Sequence, residues 1–257
     1  MQIYIPSLAR AGQANHTFEN LPPDLQARAY MVVSLKELSA YSDRFGNDRV
    51  FAVPVKGIGK VRQAIIDMSN GPVLMLDDDL RWFTRRVDDP TKFTKSTVAE
   101  VRKMISAVEK ALRKYAHVAI APREGGNRNI EPELYNTRCL RALGFDASVL
   151  RREGVRFDRV RVMEDFDVAL QLLRLGYTSC SLNRWVQDQT TSNAPGGCSE
   201  YRTLEVQARG ARALAMLHPE FVTTVEKTTL GAWGGTTRTD VRVAWKKAFG
   251  SSRHAGR

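Results

Sequence analysis

The sequence predicts an α/β fold: a mostly parallel sheet with helices on both faces. Three observations carry this. Short apolar runs alternate with stretches of helical periodicity up to Ala121. A strand begins almost at the first residue. Hydrophobic residues make up 43% and charged residues 26% of 257 residues, which suits one soluble domain with its own core rather than a disordered chain.

The elements follow in order. Gln2–Pro6, Ala29–Ser34 and Val50–Val55 read as strands, the third with Pro54 near its end. Lys60–Met68 reads as a helix, stopped by Asn70, Gly71 and Pro72. Val73–Leu76 is a buried strand that runs straight into Asp77, Asp78 and Asp79. Ser96–Tyr115 is a long helix with Val101, Ile105, Val108 and Leu112 at helical spacing. Val118–Ala121 is a further strand. Beyond the polar loop Pro122–Pro132 the pattern loosens, with strands expected at Tyr135–Leu140 and Arg159–Val162. Asp165–Leu175 is a helix ended by Gly176 at the position after the C-cap. Thr190–Ser199 is a Gly/Pro/Ser loop, and Glu200–Leu217 is a helix ended at His218 and Pro219. The chain divides into a domain over 1–222 and a basic C-terminal extension over 223–257.

Charge narrows the partners. Lys and Arg total 39 against 28 acids, a net charge of +11 that favours a polyanion. The extension holds seven Lys or Arg and two acids, with Trp233 and Trp245. Arg138–Arg161 holds seven Arg and three acids. No apolar run approaches the ~20 residues of a membrane span, so no membrane role is expected. The first residues lack a secretory pattern. Three cysteines without CxxC spacing support neither a disulfide framework nor a structural zinc, so a reducing cytoplasm is expected.

The acids carry the chemistry. Ligands of open α/β sheets sit beyond the carboxyl ends of the strands, where Asp77–Asp79 fall. If the extended geometry persists, Asp77 and Asp79 face one way and Asp78 the other. A pair on one face suits a hard divalent cation such as Mg²⁺ or Mn²⁺. A second group, Glu164, Asp165 and Asp167, opens a helix whose dipole favours carboxylates, and offers a general base.

This ordered set resembles a GT-A glycosyltransferase. IYIPSLARAG, VFAVPVKGIGKVRQAIIDMSNGPVLMLDDDL and VMEDFDVALQLLRLGY resemble more closely the phage glycosyltransferases associated with TET-type hydroxylases, over roughly residues 1–222. The resemblance implies a Rossmann-type GT-A domain. It implies that a sugar moves from a nucleotide-sugar such as UDP-glucose to the hydroxymethyl group of 5-hydroxymethylcytosine in DNA. Asp77 and Asp79 would hold the Mn²⁺ or Mg²⁺ that bridges the diphosphate. His218 or Asp188 would complete the shell. Pro6, Ser7, Arg10, Lys56, Lys60 and Asp78 would meet the donor, Lys56 and Lys60 from a glycine-bearing loop at a helix start. Asp165 would deprotonate the acceptor hydroxyl, with Glu164 as the rival.

DNA as acceptor would account for the excess positive charge. Trp185 would stack on a base or sugar, and Gly196 and Gly197 would hinge the loop Asn193–Ser199 over the substrates. Arg151, Arg152, Lys246 and Lys247 would track the phosphate backbone, and Trp233 or Trp245 would support an opened strand. Two other readings stay open: the same donor chemistry on a glycan or protein acceptor, and a metal-dependent nuclease using the same acids.

Overall fold

A computed structural model describes residues 1–189, 196–228 and 234–251. Trp233, Arg253, His254, Arg257 and the first part of the loop Asn193–Ser199 lie outside the described residues. In chain order the larger elements are β1 (Gln2–Pro6), α1 (His16–Glu19), α2 (Pro23–Gln26), β2 (Ala29–Ser34), α3 (Leu38–Phe45), β3 (Val50–Val53), α4 (Ile58–Met68), β4 (Pro72–Leu76), β5 (Leu80–Arg85) and β6 (Phe93–Lys95). There follow α5 (Val98–Leu112), β7 (His117–Pro122), β8 (Glu133–Tyr135), β9 (Ala142–Asp146), α6 (Ala147–Arg152), α7 (Glu164–Arg174) and β10 (Ser179–Gln189). The chain ends with α8 (Leu204–Leu217), β11 (Val222–Thr228), β12 (Thr237–Val243) and α9 (Trp245–Gly250).

A 10-stranded sheet runs β3-β2-β1-β4-β9-β7-β10-β5-β6, with β8 beside β10. Strands β3, β2, β1 and β4 are mutually parallel, and β9 interrupts as an antiparallel strand before β7 and β10 resume the first direction. The sheet is therefore mixed but mostly parallel in strand direction.

Alternate residues of each strand enter different cores. Ile3 and Ile5 of β1 and Leu74 and Leu76 of β4 pack with Val101, Met104, Ile105 and Val108 of α5. Tyr4, Val73 and Met75 pack on the opposite face with Ile65 and Ile66 of α4, Leu150 of α6 and Val168 and Leu172 of α7. Burial on both faces is why these strands read as continuous apolar runs. Side-chain caps fix helix starts: Thr97 accepts from Glu100 N before α5, Asp146 from Ser148 N before α6 and Thr203 from Val206 N before α8. Gly176 has φ +90° and ends α7 as expected.

The structure corrects several expected elements. Arg159–Val162 is a turn, and β8 stops at Tyr135. Strands β5, β9 and β10 were not anticipated. Strand β10 buries Ser179, Ser181, Asn183 and Gln187, so its sequence lacks an apolar signature. After Val222 the chain forms a β11–β12 hairpin and α9, whose Val222, Val241 and Ala248 share a third core with Phe166, Leu170 and Leu173 of α7 and Val206 and Leu214 of α8. Among the described residues no helix is long and apolar enough to cross a membrane.

Candidate active site

The acidic turn leaves the carboxyl end of β4 beside the end of β1. Alternation carries one residue past the strand. Asp77 turns toward α4 and accepts from Arg62 at 2.8 Å, whereas Asp78 turns the other way, buried, onto Ser7 and Arg10. The chain then bends, so Asp79 does not return to the face of Asp77; it lies 3.4 Å from the same Arg10 guanidinium that holds Asp78. Ser7 also contacts the Tyr41 hydroxyl at 2.7 Å, and the Arg10 amide donates to that hydroxyl at 3.2 Å. Thr17 laces the turn from below. Its hydroxyl donates to the Asp77 carbonyl and accepts from Leu80 N at 2.8 Å.

Arg62 joins the two acidic groups. It is 4% exposed, and one guanidinium nitrogen donates to Asp77 while the other donates to Glu164 at 2.7 Å. Helix α4 starts at the carboxyl end of the sheet, and α7 approaches it closely: a Cβ on Gly59 would lie 2.6 Å from the Phe157 carbonyl and 3.5 Å from the Glu164 side chain. Glu164 is buried by its contact with Arg62. Asp165 is part-exposed at the head of the same helix, and its carboxylate makes no hydrogen bond among the described residues.

Charge at this site is under-compensated. Burial pushes the Asp77, Asp78 and Asp79 carboxyls above the usual range, against the pull of Arg62 and Arg10. Burial likewise pushes Glu164 up to about 7, although Arg62 opposes it. Burial works against the Arg62 cation too, but Glu164 and Asp77 more than offset it and hold it charged. One guanidinium shared between two carboxylates, with Asp165 nearby, leaves a deficit of positive charge. Three non-glycine residues take left-handed backbone around this cluster: Ala9 (φ 56°) before Arg10, Arg141 (φ 64°), whose carbonyl accepts from Asp77 N at 2.9 Å, and Met163 (φ 67°) before Glu164. Such conformations cost about 1–3 kcal/mol each and persist where surrounding structure demands them.

The turn does not bring Asp77 and Asp79 to one face, but it leaves both carboxylates partly open. The Asp77 side chain is 33% and Asp79 20% exposed, so both reach the opening while Asp78 does not. No group of three or more His, Cys, Asp or Glu is placed to hold a metal among the described residues. Two carboxylates, completed by substrate phosphates and water, is the usual Mg²⁺ arrangement.

The other expected site residues divide. Pro6, Ser7 and Arg10 lie at the end of β1 as anticipated, and Lys56 and Lys60 are exposed around the start of α4. His218 is not available to a metal: it is fully buried, with Nε2 2.7 Å from Asp167. Asp188 is paired with Arg123 at 3.0 Å. Trp185 packs against the α5 core and donates to Glu100 at 2.9 Å, so it is no stacking platform. Gly196 and Gly197 lie against the segment after β1: Arg10 donates to the Gly196 carbonyl at 3.3 Å, Gly197 N donates to Leu8 O at 2.8 Å, and a Cβ on Gly196 would meet Arg10 at 2.6 Å.

Arg151 and Arg152 lie at the opposite end of the sheet, engaged by the Ile66 carbonyl at 2.7 Å and by Glu153 at 3.0 Å. The rest of Arg138–Arg161 is engaged too. Arg138 and Arg161 lie over Phe166 and Tyr201, and Arg141, Arg156 and Arg159 pair with Glu124, Asp158 and Asp167. Lys246 and Lys247 are exposed on α9, Lys247 donating to Glu220 O at 3.1 Å, while Trp245 packs edge-on against Phe166. Sequence reasoning missed Arg62 and Tyr41. The signal for Arg62 was present: it sits between Ile58 and Ile65–Ile66 on the apolar face of KVRQAIIDM.

Known proteins resemble this chain along most of its length. The chain is 28% identical over 239 residues to the beta-glucosyl-HMC-alpha-glucosyl-transferases of Enterobacteria phages T6 and T2, covering 86% of this chain and 81% of each relative. Among solved structures, a mannosyltransferase from Pyrobaculum calidifontis in complex with GDP-Man and Mn2+ superposes with a TM-score of 0.48 at 14% identity, covering 70% of this chain and 55% of that one. The profile of the TET-associated glycosyltransferases matches residues 1–197, the span that carries β1, the acidic turn, Arg62 and the head of α7: the chain belongs to the TET-associated glycosyltransferase family and is a glycosyltransferase.

Proposed function

We propose that the protein moves a hexosyl group from a nucleotide-sugar, UDP-glucose or a close analogue, to the hydroxymethyl group of 5-hydroxymethylcytosine in DNA. The observation that supports this is the joining of Asp77 to Glu164 through buried Arg62, which brings the acidic turn beside a helix head bearing Asp165. Asp77 and Asp79 would hold Mn²⁺ or Mg²⁺, and the cation supplies charge neutralisation of the departing diphosphate. Arg10, held by Asp78 and the Gly196 carbonyl at the end of β1, would contact a donor phosphate. Asp165, whose carboxylate makes no hydrogen bond among the described residues, accepts the proton of the acceptor hydroxyl. Glu164 anchors Arg62 rather than acting as base.

A second acceptor is favoured by a specific observation. The relatives from phages T6 and T2 carry a name that describes transfer to already glucosylated hydroxymethylcytosine. One experiment separates the readings: the whole chain with UDP-glucose and Mn²⁺ is given hydroxymethylcytosine DNA, β-glucosylated hydroxymethylcytosine DNA and free nucleoside. Gain of one hexose mass on the first supports the main reading, and gain on the second alone supports the other. Nicking, or equal transfer to the free nucleoside, overturns both. The anomeric bond in the product tests Asp165: base-assisted attack opposite the leaving group inverts the donor centre, so an α-linked product from an α-linked donor removes that role.

A further inference from the structure

The arginines of Arg138–Arg161 each rest on an acid, a carbonyl or an aromatic ring of the same chain, whereas one cleft carries two cations with no such contact among the described residues. Arg81 and Lys95 are exposed, and their side chains make no hydrogen bond or ion pair among the described residues. Lys95 stands directly opposite Phe83 in the β5–β6 ladder, and Arg81 is two residues from Phe83 on the same strand face. With His16, Glu19 and Asn20 these three side chains line a cleft of about 310 Å³.

The cleft adjoins the acidic turn through both of its walls. Strand β5 begins at the residue after Asp79, and α1 is bonded to the turn through Thr17. Glu19, the acid in the lining, is offset by Arg44 at 3.0 Å and lies 3.9 Å from His16. Across Phe83 the Arg123 guanidinium lies 4.2 Å from the ring centroid, itself paired with Asp188. The basic surface of α5 differs, because Arg102 and Lys103 are already paired with Asp24 and Glu100.

We propose that this cleft docks the phosphodiester backbone of the acceptor DNA strand, Arg81 and Lys95 each neutralising a phosphate and Phe83 providing an apolar floor for the neighbouring sugar or base. The inference rests on DNA being the acceptor. Backbone contacts of this kind fix the register of the strand, and so place the reacting base beside the acidic turn.

Fluorescence anisotropy with a hydroxymethylcytosine duplex across a salt series reads this contact without any sugar transfer. The Arg81→Ala/Lys95→Ala variant is expected to bind at least about 10-fold more weakly, with the slope of log K against log salt reduced by about 2. Arg81→Lys/Lys95→Arg should restore both, and Arg102→Ala/Lys103→Ala should bind as wild type. Wild-type affinity and slope in the double alanine variant overturn the inference even where the chain glycosylates DNA. So does a wild-type chain that does not bind the duplex, or a double variant changed only in its KM for the nucleotide-sugar. A reduced slope supports the cleft even where the duplex gains no sugar, a result that counts against the proposed function alone.

Discussion

The two ends of the central sheet use the same residue types to different effect. At the carboxyl end of β4, Asp77, Asp78, Asp79 and Glu164 share Arg10 and Arg62, and burial leaves the acids short of positive charge. At the other end, charge is matched. Arg28 pairs with Glu109 at 2.6 Å, Arg152 pairs with Glu153, and Arg151 closes the end of α4 through backbone carbonyls. A charged residue marks function here by what it lacks. Charge that is fully compensated holds the fold, and charge in deficit is what the proposed cation would offset.

The largest test of this contrast is Asp79→Ala. Loss of one of the proposed cation ligands should cut sugar transfer by at least about 10³-fold, about 4 kcal/mol in the barrier. The melting temperature should hold or rise, because a poorly compensated carboxylate is removed. Transfer assays and calorimetry on the same preparation check this, and full transfer by the variant would remove the metal assignment.

Next comes Arg62→Met. Buried Glu164 and part-exposed Asp77 lose their shared cation, which should cost about 3–5 kcal/mol of stability and depress transfer together. Urea unfolding measures the first effect. An unchanged midpoint would mean that the bridge between α4 and α7 is incidental.

The two ends should also answer pH with opposite slopes. His117, at the start of β7, is buried and stacked on Phe145, and burial pushes its pKa down to about 4 from 6.5. The unfolded chain takes up that proton first. This contribution is therefore complete above pH 6.5 and is lost as pH falls toward 4, at most about 3 kcal/mol. Glu164 runs the other way. Its folded carboxyl holds a proton up to about pH 7 against 4.5 in the unfolded chain, so its contribution declines as pH rises through that window. Unfolding titrations in EDTA of wild type, His117→Gln and Glu164→Gln should show one variant flattening the acid limb and the other the neutral limb.

The smallest expected effect is Arg151→Ala. Loss of the contacts to the end of α4 should cost about 1–2 kcal/mol, with transfer and DNA affinity unchanged. Weaker DNA binding in that variant would return the far end of the sheet to function.

Local pattern reached far into the fold. The bounds of β1 and β2 and the stop of α7 at Gly176 were legible because apolar runs, helical periodicity and a glycine stop are properties of neighbouring residues. Strand β10 was not legible, since Ser181, Asn183 and the Gln187 amide on its buried positions bond to one another and to the Glu131 and Leu140 carbonyls rather than presenting an apolar face. In the site, the acids of β4 and α7 could be read as a set, but their compensation could not.

The sequence by itself determined that acids would gather at the end of one strand and the head of one helix. Tertiary structure alone decided that Arg62 would bind Glu164 across 102 positions of chain, that His218 would close on Asp167, and that the seven arginines of Arg138–Arg161 would be engaged while Arg81 and Lys95 stayed open. The reason is physical. Helical and strand periodicity follow from the local backbone, whereas the electrostatic state of a side chain depends on the charges and solvent around it in space, and those neighbours are set only when the chain has folded.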